Sequence, residues 1–193
     1  MISEARAALK RALIAVAAIA VAFPAAECLA KAGPCEASLA EATKPALALD
    51  YEKFDQTPGE GWRRLAEQQS CFVEAGQLID SYLAGRSDLR DSQRVNLSFH
   101  AGQVYAFGGR DEEAVKRFRR AVVNRSAPPE FKWSEYVLAT ISFLEHDAEG
   151  LVKNRDVIAD AAGYSPNQSN LRIVDLLIAG FGRPYKDALQ RSQ

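Results

Sequence analysis

From Gly33 onward apolar residues recur at helical spacing, with charged and polar residues filling the positions between them. The period-two alternation of a half-buried strand is absent, so the pattern predicts helices nearly throughout. Breakers fall at Pro45, Thr57-Pro58-Gly59, Ala127-Pro128-Pro129, Ser165-Pro166 and Arg183-Pro184. Thr57-Pro58-Gly59-Glu60 has the grammar of a helix start: a hydroxyl cap, a proline in the first turn and a glutamate to close a capping box. Ser165-Pro166-Asn167-Gln168 repeats that grammar with glutamine.

Residues 99–122, FHAGQVYAFGGRDEEAVKRFRRAV, carry the pattern most clearly. The first helix has one apolar face at Leu97, Ala101, Val104 and Tyr105 and a second at Phe99, Ala106 and Phe107. A helix with two apolar faces needs neighbours on both sides. Gly102 lets a partner helix approach, and Gly108-Gly109 permits the left-handed residue that ends the helix. The second helix turns Ala114, Val115, Phe118, Ala121 and Val122 inward. Lys116, Arg117, Arg119 and Arg120 are what remains, which makes them its solvated face.

The unit recurs. Ala75 stands where Ala114 does, 39 residues earlier; Gly150 follows 36 residues later and Ala188 another 38. Gly102, Tyr105, Gly109, Glu113, Ala114, Phe118 and Ala121 fall in the spacing of a tetratricopeptide repeat, and the chain resembles that superfamily. The resemblance implies an all-α fold of antiparallel helix-turn-helix repeats stacked as a short α-solenoid over residues 58–193. Residues 31–57 then form a helical cap divided at Pro45. It also implies a concave groove, lined by the first helix of each unit, that binds a peptide or protein partner. The matching positions are Arg64 and Gln68, then Phe99, Gln103 and Phe107, then Phe143. Phe107, Phe143 and Phe181 recur at one place in successive units, as groove lining or as core filling.

The N-terminus reads as an export signal. Arg6, Lys10 and Arg11 precede an uncharged run over residues 12–23, Pro24 breaks it, and small residues follow. The small-x-small rule places cleavage after Ala30 or Ala32, with residues 1–30 as the signal. The rival, a retained anchor, has too short an apolar core, since a span needs about 20 residues. No other apolar run approaches that length, so no membrane span is expected after cleavage. Cleavage removes Cys28 and leaves Cys35 and Cys71, which in the periplasm or outside the cell are expected to form a disulfide rather than two buried thiols. Closing that loop stabilises by about 3–4 kcal/mol in the chain-entropy picture.

Composition narrows the chemistry. At 193 residues, 48% hydrophobic and a net charge of −1, the chain can bury one good core and has no basic surplus for nucleic acid. Two scattered histidines, His100 and His146, show no metal-ligand spacing, and HExxH, GxSxG and CxxC are absent. No cofactor or metal is expected. The rival to a non-catalytic interaction module is an exported all-helical peptidoglycan-cleaving enzyme, using one acid such as Glu67, Glu135 or Glu145. The processing expectation is direct to check. The intact mass of protein recovered from the periplasm should place its first residue at Lys31 or Gly33. Retention of residues 1–26 would contradict it.

Overall fold

The computed structural model describes residues 33–123 and 128–190, so the export signal and its cleavage sites lie outside the described residues. All regular structure described is helical. The helices are α1 (Pro34–Leu47), α2 (Gly61–Arg63), α3 (Phe72–Gly85), α4 (Asp91–Phe107), α5 (Asp111–Ala121), α6 (Trp133–Leu144), α7 (Ala148–Asp160), α8 (Ser165–Ala179) and α9 (Tyr185–Leu189). Two π-helical turns, Glu52–Gln56 and Arg64–Gln68, flank α2. From α3 onward each helix packs on the next, and α9 also reaches back to α4. None of these helices is long and apolar enough to cross a membrane.

The helix α4 has two apolar faces as its pattern predicts, but Tyr105 belongs to the second face and not to the first. Leu97, Ala101 and Val104 join a core with Phe54, Trp62, Leu78 and Tyr82. Phe99, Tyr105 and Ala106 join another with Phe118, Tyr136, Val137 and Leu177. A Cβ on Gly102 would stand 2.7 Å from the Phe118 ring, so only glycine admits this contact. The chain leaves α4 through Gly109 at φ +70, as the Gly-Gly turn predicts. Ala75 and Ala114 are fully buried and Ala188 nearly so, each at the corresponding place of α3, α5 and α9. In α7 that place is Gly150, where a Cβ would collide with the Asp147 carboxylate and the Ser142 hydroxyl. Asp147 caps this helix by accepting the Gly150 N–H at 2.9 Å.

Cys35 and Cys71 form the disulfide, with Cα atoms 5.4 Å apart, and tie the start of α1 to the start of α3. Several local expectations need correction. Pro45 lies in the last turn of α1 and ends that helix instead of dividing it. Thr57 caps nothing: its N–H and hydroxyl both donate to the Glu52 carbonyl, closing the preceding π turn, and helix starts only at Gly61. In the second supposed box, Asn167 turns inward. It accepts the Lys132 N–H at 3.0 Å and donates to the Glu130 and Ala161 carbonyls at 2.8 Å, clamping the approach to α6 against the turn before α8. Trp133 pins the same region by donating to the Ala121 carbonyl at 2.8 Å.

Arg117 also departs from the solvated face assigned to it. Its guanidinium chelates Asp80 at 2.5 and 3.1 Å and lies over the Tyr105 ring, 4.8 Å from the centroid. Lys116, Arg119 and Arg120 are exposed as expected. Urea unfolding should separate these environments. Ala114→Leu and Gly102→Ala overpack the helix contact and should each cost about 1–3 kcal/mol. Lys116→Gln should change stability by less than ~0.5 kcal/mol. Arg117→Gln, which strands the half-buried Asp80, should cost more than ~1 kcal/mol. Equal effects at all four positions would show that the helix faces are wrongly assigned.

Candidate functional site

Helical spacing places Gln103 and Phe107 one turn apart near the end of α4, and Phe143 occupies the equivalent last turn of α6. The structure brings these three together on one segment, α9. The Tyr185 ring meets Phe107 edge-on at 5.3 Å and Phe143 at 6.1 Å between centroids. Gln103 lies beside the Tyr185 hydroxyl, yet no hydrogen bond of normal geometry joins them. Burial, the first cause, raises the Tyr185 phenol pKa far above its ordinary value; nearby Tyr136 adds to it. Phe107 also stacks against Phe72 at 5.6 Å, and the Lys186 ammonium sits 5.5 Å over that Phe72 ring. The helix ends therefore hold a short stretch of the chain's own backbone by an aromatic anchor.

The other expected groove residues are placed elsewhere. Phe99 and Phe143 are 6% and 3% exposed, so neither is an open anchor for an incoming ligand. Phe99 packs among Phe118, Trp133 and Tyr136, because α4 is covered on both faces. Phe143 is covered by Tyr185 and by Phe181. Phe181 stays 37% exposed. Arg64 is exposed beside α1, where it lines a small cleft with Pro45 and Leu49. Gln68 is exposed, and its amide lies over Gly59. Neither belongs to the Tyr185 seat.

Two further polar centres could bear chemistry. A cleft of about 570 Å³ between α3, α4 and α5 is lined by Asp80, Asp91, Arg94, Ser98, Arg117 and Arg120. Its charges are of both signs, and Arg117 and Asp80 are paired with each other. Tyr105 donates to Asp80 at 2.8 Å beside the Arg117 chelate, and Arg94 donates to the carbonyls of Leu83 and Arg86. No concentrated field of one sign results, which argues against a phosphate site.

The second centre is Asp55, which nothing in the sequence pattern singled out. It is fully buried, and its carboxylate accepts from Trp62 Nε1 at 2.9 Å and from Gln56 Nε2 at 2.5 Å. His100 Nδ1 lies 2.8 Å from it. Three elements, the first π turn, α2 and α4, are thereby joined at one acid. Burial alone would raise its pKa. The bond to His100 and its charge, with the Trp62 and Gln56 bonds, outweigh burial and hold the pKa below the ordinary carboxylate value. A histidine oriented through Nδ1 by a buried carboxylate is a familiar general-base arrangement. Here the acid's donors come from the elements it joins, which is a structural use. Among the described residues the one cluster with metal-ligand proximity is Cys35, Cys71 and Glu74, whose two sulfurs are bonded to each other.

Comparison with protein-family models, with curated proteins and with solved structures finds no match for the chain.

The Asp55 centre sets a pH dependence. Its pKa is lower folded than unfolded, so the unfolded chain binds more protons. The stability it contributes is present above the ordinary carboxylate pKa of about 4 and is lost as pH falls through the depressed value. Asp55→Asn should cost on the order of 1–3 kcal/mol at neutral pH. Its urea midpoint should also fall less steeply between about pH 5 and pH 3 than that of the unaltered chain. Parallel pH profiles would show that Asp55 is not the titrating group.

Proposed function

We propose that the chain is an exported, non-catalytic interaction module of the cell envelope, a degenerate tetratricopeptide-like array whose first helices hold a peptide segment. The observation that carries this reading is the convergence of Gln103, Phe107 and Phe143 on Tyr185. Positions that the repeat pattern assigns to a peptide groove already grip a short segment of chain. Supporting it are the succession of paired helices with a small residue at the matching place of each second helix, and the single-residue fit at Gly102. The Cys35–Cys71 disulfide suits a protein that matures in an oxidising compartment, the periplasm or outside the cell. The partner on this reading is a protein or peptide, with no nucleic acid and no cofactor.

Of the three acids of the rival peptidoglycan-cleaving reading, Glu135 is half-buried in the first turn of α6 and the other two are in surface ion pairs. Glu67 pairs with Arg63 at 2.9 Å and Glu145 with Arg119 at 2.6 Å, both at the surface. The two readings separate in one experiment. A photo-crosslinking phenylalanine analogue is placed at Phe107, with a control at Lys116, and the protein is irradiated in envelope extract while muropeptide release is measured. The interaction reading expects discrete adducts from position 107 alone and no release. Release that disappears on Glu67→Gln, Glu135→Gln or Glu145→Gln sinks it in favour of the enzyme.

A further inference from the structure

Resting on that reading, we infer that α9 is a displaceable occupant of its own seat. The partner that the seat accepts is then a segment built like α9: an aromatic residue, then a small and an apolar residue at the third and fourth positions after it. In α9 these are Tyr185, Ala188 and Leu189.

Three features of α9 point to release. It has five residues, too few to hold helical structure without tertiary contacts. What secures it is the buried Tyr185, the contact of Ala188 with Gly180, and the half-buried Leu189. Its connection to α8 is an exposed turn through Phe181, Gly182, Arg183 and Pro184, with Gly182 at φ +83. A glycine in the left-handed region can change conformation at little steric cost, so α9 can swing away while α8 stays packed. The third feature is chemical. The Tyr185 hydroxyl is buried, and Gln103, the polar side chain beside it, makes no hydrogen bond of normal geometry to it. A buried phenol held by so poor a bond is a penalised occupant.

Those features also define what competes. Phe107 and Phe143 supply a two-sided apolar seat for one ring, and Gly180 supplies room for a small side chain one turn along the ligand. An incoming segment with phenylalanine in the tyrosine position keeps the ring contacts and avoids the stranded hydroxyl. The seat should therefore prefer phenylalanine to tyrosine, the reverse of a site built to bond a phenol.

The test uses the full chain, its Tyr185→Ala variant, and a fluorescein-labelled nonapeptide of residues 182–190, GRPYKDALQ, read by fluorescence anisotropy. If α9 blocks its own seat, the apparent affinity of the unaltered chain falls by the fraction of open molecules. The peptide should bind Tyr185→Ala at least about tenfold more tightly than the unaltered chain. A peptide with phenylalanine for tyrosine should bind tighter still, and one with alanine should not bind. Equal binding to both proteins overturns the inference and leaves the peptide-binding reading standing. Binding to neither, with Tyr185→Ala folded by circular dichroism, overturns both. Should Tyr185→Ala not fold, hydrogen exchange on the unaltered chain decides. Saturating phenylalanine peptide must speed exchange at residues 185–189 while α4 and α6 stay protected, and unchanged exchange there overturns the inference.

Discussion

A helix that is apolar on two sides has a stable position only between two partners, and α4 imposes that constraint on everything around it. One face completes the core with Phe54, Trp62 and Tyr82, and the other completes the core with Phe118, Tyr136 and Leu177. The approach on the second face is set by Gly102, where a single added carbon would meet the Phe118 ring. The helices α3, α5, α7 and α9 each carry a small residue in their first turns, Ala75, Ala114, Gly150 and Ala188. Dense packing makes such contacts intolerant of an added methyl group.

Most of the helix limits were legible, because Gly, Pro and the apolar period act within a few residues. Gly108-Gly109, Ser165-Pro166 and Arg183-Pro184 each sit within a residue or two of a helix end. The pairing of Cys35 with Cys71 followed from parity once Cys28 was assigned to the export signal. What failed locally failed through competition. Thr57 had two possible partners, and the Glu52 carbonyl behind it prevailed over the helix ahead. Arg117 lay on the correct side for solvent, yet Asp80 on the neighbouring helix drew it down.

The candidate site was half legible. The resemblance to tetratricopeptide repeats pointed to Gln103, Phe107 and Phe143, but a groove wall and a core wall share one periodicity. Only the path of the chain decides between them. That path brings α9 back onto α4, a contact between residues some eighty positions apart that no local pattern encodes. Asp55 was invisible for a different reason. In Glu52-Lys53-Phe54-Asp55-Gln56 it reads as one more solvated charge, and its burial depends on Trp62 and His100 arriving from other elements.

The two tryptophans of the chain are distributed in a useful way. Trp62 lies in the core that α4 shares with α1 and α3, bonded to a carboxylate, whereas Trp133 packs against the other core and donates to a backbone carbonyl. Each indole is thus an intrinsic spectroscopic reporter for one half of the molecule, in a distinct electrostatic setting. Their emission can reveal whether the two halves, which share α4, melt as one cooperative unit or in sequence.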